Sequence, residues 1–236
     1  MNEYKNFSAY FDTIMDFLDY NKWINFTKEN IKKDSTILDL ACGSGIFLVN
    51  MNLYGYPTDG LDLSSQMIDL CRDKIFINHI FCDLYEQDMT NFKIDKKYDN
   101  ITCYFDSINH LNSINDVKKL FDSVYNHLND EGLFLFDIFS YDRFLDADNT
   151  DISEDFEDFS YNWKMNVELP NTLHHHIKIT GVDNFEENYD EHFYDYNGLI
   201  NDKRFELVKI VGDFKKKLTK KSERILIVLK KKTSIL

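Results

Sequence analysis

Two prolines and eight glycines in 236 residues leave few places where the chain is forced to turn, so those that occur carry weight. The four cysteines, Cys42, Cys71, Cys82 and Cys103, lack paired C-x-x-C spacing, which points to reduced packing residues rather than a disulfide framework or zinc site. No apolar run reaches membrane-spanning length, and the N-terminal "MNEYKNFSAYFDTIMDF" has neither the basic start nor the apolar block of a signal peptide. A cytoplasmic protein with no membrane partner is expected. Basic residues are scarce as well: 27 Lys and Arg against 41 Asp and Glu give a formal charge of -14. That field repels a phosphate backbone and favours neutral or cationic partners over nucleic acid. What is abundant is core material, 43% hydrophobic residues including 15% aromatic, enough for one domain or one domain with an insertion.

The hydrophobic spacing sorts the first 140 residues into alternating elements. Thr13 to Ile31 suits amphipathic helices broken near Asp19–Asn21. Thr36–Ala41 has strand length and is followed by Gly43, Gly45 and a helical pattern ending before "YGYP", which makes a strand, a tight turn and a helix. A second strand is expected at Thr58–Leu63, a helix over "SSQMIDLCRDKI" capped by Ser64 or Ser65, and a third strand at "HIFCDL". "YDNITCYF" reads as a fourth strand, "SINDVKKLFDSVYNHLNDEG" as a helix closed by Gly132, and "LFLFDIF" as a fifth strand. Strands alternating with helices imply a parallel sheet covered on both faces.

The pattern changes after Ser140. Residues 141–158 hold eight Asp or Glu and read as a solvated loop. "FSYNWKMNVEL", "LHHHIKITGV" and "NYDEHFYDY" then show the period-two mixture of antiparallel strands. The chain closes on "FELVKIVGDF" and "RILIVLKKK", long strands with no helix between them and so an antiparallel pair. No repeat or low-complexity tract interrupts this order.

A strand ending in a glycine turn that opens a helix presents backbone N–H groups to a ligand at the carboxyl edge of a parallel sheet. A nicotinamide fingerprint, G-x-G-x-x-G, would need a third glycine where Leu48 stands, which disfavours a dinucleotide oxidoreductase. Asp62 ends the second strand, where a carboxylate can accept both hydroxyls of a ribose. Asp88 and Met89 follow the third strand and could supply an acceptor and an apolar lid for a flat base. Phe105, Asp106, Asn109 and His110 end the fourth strand on the same edge.

"ILDLACGSG", "GLDLSSQMI", "EQDMTNF" and "YDNITCYFDSINHL", in this order over residues 37 to about 138, resemble motifs one to four of the class I S-adenosylmethionine-dependent methyltransferases. "YNKW" and the inserted antiparallel segment resemble the small-molecule group that includes glycine N-methyltransferase and the aminosugar N-methyltransferases. The resemblance implies an α/β, Rossmann-like, doubly wound, mostly parallel seven-stranded sheet with an antiparallel last strand, plus an inserted antiparallel β lid. Residues 1–139 and 196–236 would form the S-adenosylmethionine-binding core and 140–195 the substrate lid. It further implies that Asp39 orders the glycine loop and the cofactor's amino end, that the Ala41 carbonyl contacts that amino group, and that Gly43 and Gly45 let the methionyl and ribose parts lie on the backbone. Asp62 would take the ribose, Leu63 and Met67 the adenine side, Asp88 the adenine amine and Met89 the ring. Phe105 would flank the sulfonium and Trp23 the methionyl end. No arginine stands near these motifs to pair with the cofactor carboxylate, which leaves backbone, Tyr10, Tyr20 or water.

Methyl transfer from a sulfonium is an in-line displacement, in which alignment and a dry enclosure matter most. The expected acceptor is a small molecule, most simply an amine nitrogen deprotonated by a neutral histidine, with His110 and His192 of "DEHFYDY" as candidates. Tyr10, Phe11, Tyr161, Trp163, Phe193 and Tyr194 could cage a cationic amine. In the His174-His175-His176 triplet only His174 and His176 share a strand face and no cysteine completes a set, so no metal is expected. A protein methyltransferase and a non-catalytic cofactor-binding module stay open, as do monomer and homodimer.

Overall fold

Short apolar runs become inner strands and amphipathic runs become the helices that cover them. The computed structural model describes residues 6–214 and 217–233, so the ends of the expected core range, 1–5 and 234–236, lie outside the described residues. The order is α1 (Ser8–Ile14), α2 (Asn21–Asn30), β1 (Ile37–Leu40), α3 (Ile46–Leu53), β2 (Thr58–Asp62), α4 (Ser65–Ile77), β3 (Leu84–Glu86), β4 (Tyr98–Cys103), a 3-10 turn (Ser107–His110), α5 (Ile114–His127) and β5 (Leu128–Phe139). Then come α6 (Tyr141–Asp146), β6 (Thr150–Asp155), β7 (Phe159–Glu168), β8 (Thr172–Gly181), β9 (Phe185–His192), α7 (Tyr196–Ile200), β10 (Phe205–Gly212) and β11 (Arg224–Lys231).

The main sheet has seven strands in the order β10-β11-β5-β4-β1-β2-β3. Only β11 runs against the others: it pairs antiparallel with both β5 and β10, while β3, β2, β1, β4 and β5 form parallel neighbours. The expected doubly wound sheet with one reversed strand is therefore present. Alternation along the strands sends Leu38, Leu40, Ile101 and Phe136 to one face, under Val117, Leu120 and Phe121 of α5. Ile37, Leu135 and Leu226 point to the other, under Trp23, Ile24, Phe47 and Met51 of α2 and α3. Strand order reverses between β1 and β4, the crevice where ligands of such sheets bind.

Three expectations change. The third strand starts at Leu84 rather than spanning "HIFCDL", because β2 offers pairing only along Gly60–Asp62. Ile80 and Cys82 still pack inward beside α3 and α4 while Phe81 is 98% exposed, which mimics a strand in the sequence. Helix α5 ends at His127, and Gly132 does not stop it. Tyr98 pairs with Leu128 but Asn100 with Leu133, so residues 129–132 bulge from β5, and a Cβ at Gly132 would meet the Asn129 carbonyl at 2.8 Å. The acidic 142–158 segment is α6 and β6 rather than a loop, although β6 is almost wholly exposed, as suits a charged edge strand.

Strands β6 to β9 form a separate antiparallel meander inserted between β5 and β10. On β8, Leu173, His175, Ile177 and Ile179 point inward and His174, His176 and Lys178 outward. The inner face packs on Phe7, just before α1, and Ile14 of α1 at one end and on Phe139 and Phe144 at the other. This second sheet and α1 thereby cover the carboxyl edge of the first. Among the described residues no helix is long and apolar enough to cross a membrane.

Candidate active site

A cavity of about 730 Å³ lies at that edge, between the ends of β1, β2 and β4 below and the inserted sheet above. Its volume is within the range of roughly 300–1,000 Å³ common for small-molecule sites. Asp39, Ala41, Gly43, Asp62, Leu63, Met67, Asp88, Met89, Phe105 and His110 all line it.

The turn after β1 is made of left-handed residues. Ala41 (φ 52°), Gly43 (φ 53°) and Gly45 (φ 84°) bring the backbone round to open α3. The two glycines answer different demands. A Cβ on Gly43 would meet nothing within 4 Å, so its bare backbone faces open space in the cavity. A Cβ on Gly45 would meet Cys71 Sγ at 2.3 Å, so Gly45 is small because α4 packs on it, and it does not line the cavity as expected. Gly45→Ala is expected to lower stability by about 2–4 kcal/mol through backbone strain plus overpacking, read from the denaturation midpoint, with part recovered in Gly45→Ala/Cys71→Ala.

Two carboxylates frame this turn. Asp62 accepts hydrogen bonds from the Gly43 N–H and the Ser64 N–H, both at 2.8 Å, which ties the end of β2 to the turn. Burial pushes it above the usual carboxylate range against those two bonds. Asp39, 4% exposed, accepts from the Thr102 hydroxyl at 2.7 Å, and burial raises it to about 7. On the rim, the Ser44 hydroxyl donates to Asp12 of α1 at 2.5 Å, and Asp12 also pairs with Lys74.

Beyond β4 the chain makes a second tight turn. Phe105 (φ 59°) and Asp106 (φ 60°) are consecutive left-handed residues, the kind of local strain that clusters at functional sites. Phe105 packs between Trp23 and Tyr20, at ring distances of 4.4 and 4.9 Å, with its other side on the cavity. Trp23 thus stands behind Phe105 rather than in the cavity wall. Tyr10 is also outside it: α1 turns its hydroxyl toward Asp183, which accepts at 2.5 Å.

The histidines divide by strand phase. His110, on the 3-10 turn, faces the cavity with Nε2 3.3 Å from Glu191 Oε1. His192 follows Glu191 on β9, points to the other face and contacts Thr172 at 3.3 Å, so it does not line the cavity. Burial lowers it from its ordinary range. Glu191 takes the inward position instead and is held from the opposite side by His175 Nε2 at 3.1 Å. The Trp163 indole N–H donates to His175 Nδ1 at 3.0 Å; an indole only donates, so Nδ1 must accept and the ring proton is on Nε2, directed at Glu191. Burial disfavours the Glu191 anion, but the His175 hydrogen bond and the nearby His110 and Arg143 outweigh it and hold the carboxyl well below its ordinary range.

With this geometry, comparison with known proteins decides the family. A methyltransferase-domain family profile matches residues 10–191. A solved S-adenosylmethionine-dependent methyltransferase from Clostridium acetobutylicum superposes with a TM-score of 0.85 at 30% identity, covering 98% of this chain and 99% of the other. The chain belongs to the S-adenosylmethionine-dependent methyltransferases. A Geobacillus sp. (strain WCH70) protein bearing a methyltransferase name is 28% identical over 97% of this chain and 99% of its own. A Streptomyces fradiae dTDP-3-amino-3,6-dideoxy-alpha-D-glucopyranose N,N-dimethyltransferase is 32% identical over 79 residues, 34% of this chain and 29% of its own.

The methyltransferase's cavity fits its cofactor in kind: a glycine backbone with open space above it, a carboxylate at the end of β2, and apolar Leu63, Met67 and Met89 beside it. An arginine does reach this edge, from the far end of the chain. Because β11 is antiparallel, its first residue, Arg224, lies opposite Phe139 at the carboxyl edge of β5. It grips Asp106 with two bonds of 2.7 Å, donates also to Asp137, and stacks over Trp23. Glu191 and His175 were within reach of strand periodicity, since Ile177 and Ile179 fix the inner face of β8. Nothing local marks Arg224. Among the described residues no group of three or more His, Cys, Asp or Glu is arranged to hold a metal ion.

Proposed function

We propose that this methyltransferase acts on an amine nitrogen of a small molecule held between the β1–β4 edge and the inserted sheet, with residues 140–195 serving as the substrate lid. The observation that carries this reading is Glu191, a largely buried carboxylate kept ionised in the cavity wall between His110 and His175. Tyr161, Trp163 and Tyr189 line the same cavity. An anion in a cavity lined with aromatic side chains attracts an ammonium, and the protein's overall negative charge adds to that attraction.

In this reading Asp39, Ala41, Gly43, Asp62, Leu63, Met67, Asp88, Met89 and Phe105 hold S-adenosylmethionine. The cofactor supplies a methyl group on cationic sulfur, an electrophile that needs no acid from the protein. His110 accepts the proton from the bound ammonium, exposing the nitrogen lone pair. Glu191 orients the His110 ring and offsets the positive charge that reaches it. The inserted sheet excludes water while the acceptor is aligned. The dTDP-aminosugar N,N-dimethyltransferase match supports an amine acceptor.

The test is release of S-adenosylhomocysteine from the purified protein given a panel of primary and secondary amines beside alcohols, phenols and carboxylic acids. Amines should be turned over, with Glu191→Gln lowering kcat/KM by about 10²-fold or more. Turnover confined to hydroxyl or carboxyl acceptors would sink the reading.

A further inference from the structure

A second chamber of about 570 Å³ adjoins the first cavity, and the two share Asp106, Arg143, Glu191 and Arg224 in their common wall, with Phe17 and Leu18. Of the four charged groups at this neck, three are satisfied within the protein. Arg224 is held by Asp106 and Asp137, Asp106 by Arg224, and Glu191 by His110 and His175.

Arg143 is the exception. It enters from α6, where its backbone N–H caps on Ser140, but among the described residues its guanidinium makes no hydrogen bond or ion pair. It still acts electrostatically on Glu191, which places the two charges near each other. Lys22 and Lys221 also line the second chamber, set against Asp19, Asp213 and Glu223 on the same wall. A half-buried guanidinium at the meeting point of two cavities presents an unfilled fork of donors, the geometry that takes a carboxylate or phosphate in two parallel bonds.

We propose that Arg143 binds an anionic group carried by the methyl acceptor, so that the substrates are amines bearing a carboxylate or a phosphate. This rests on the amine reading of Glu191: the ammonium is recognised at Glu191 and His110, the anion at Arg143, and the second chamber takes the remainder of the molecule. An amine without the acid leaves Arg143 unpaired at the neck and is rejected for that reason.

The test titrates inorganic phosphate and, separately, acetate calorimetrically into the full chain saturated with S-adenosylhomocysteine. Wild type is expected to bind at least one of them, Arg143→Gln to lose ~tenfold or more in affinity, Arg143→Lys to fall between, and Arg72→Gln on the outer face of α4 to match wild type. Which anion binds identifies the acid. In parallel, β-alanine is compared with its methyl ester, and glucosamine 6-phosphate with glucosamine, as methyl acceptors. No anion binding by wild type, or equal binding by Arg143→Gln, overturns the proposal. Anion binding that depends on Arg143, with no amine methylated, overturns the amine reading and leaves the anion site standing.

Discussion

Arg224→Met is expected to cost the fold about 3–5 kcal/mol at pH 8, a larger loss than any surface substitution, because it strands two carboxylates. Asp137 is wholly buried and Asp106 largely so, and both accept hydrogen bonds from the one guanidinium. Burial already raises Asp137 above the usual carboxylate range, with Arg224 opposing the shift. Removing Arg224 raises it further. A carboxyl raised in the folded state binds a proton that the unfolded chain has released, so its penalty grows as pH rises and vanishes below the ordinary carboxylate range. The Arg224→Met defect should therefore shrink between pH 8 and pH 5 in denaturant titrations. Neutralising all three residues together, Asp106→Asn/Asp137→Asn/Arg224→Met, should recover most of the loss, since it is the unpaired charge and not the missing pair that destabilises. A defect that is independent of pH and persists in the triple variant would show that Arg224 acts by packing alone.

Asp39→Asn should separate stability from function. The carboxyl titrates near 7 in the folded protein against 3.8 ordinarily, so wild type loses stability through this group as pH rises from about 4 to 7, by a total on the order of 4 kcal/mol. The asparagine variant keeps an acceptor for Thr102 and escapes that loss. It should match wild type near pH 4 and exceed it by about 2–4 kcal/mol at pH 8. Cofactor affinity should move the other way. If Asp39 faces the amino end of S-adenosylmethionine, wild type binds more tightly as pH rises toward 7, by up to about tenfold per pH unit while the carboxyl is mostly protonated, and the variant loses this dependence. Equal pH profiles for the two proteins would remove Asp39 from the site.

The parts legible in the sequence were those set by contiguous residues. β1, its glycine turn and α3 follow from one run, Ile37 to Leu48, and every motif at the end of β1, β2 and β4 contributes residues to the cavity. Reading both glycines as cofactor clearance merged two causes, because Cys71, which excludes a side chain at Gly45, is 26 positions away and belongs to α4. His192 was a phase error of one residue. The motif "DEHF" contains the inward acid and the outward histidine, and only pairing with β8, Leu173 opposite Glu191, fixes which faces in. Tyr10 and Trp23 lie close to the site in the chain and one layer away from it in space. Arg224 and Arg143 were not legible because their positions depend on strand order and on the reach of the insert.

The central claim is that the cofactor lies on the turn after β1, with its ribose on Asp62. Calorimetric titration of wild type and Asp62→Ala with S-adenosylmethionine tests it most directly. Two charge-assisted hydrogen bonds are at stake, so affinity should fall by about 10²-fold or more in a variant that circular dichroism shows to be folded. Unchanged affinity in folded Asp62→Ala would contradict it and move the cofactor elsewhere in the cavity.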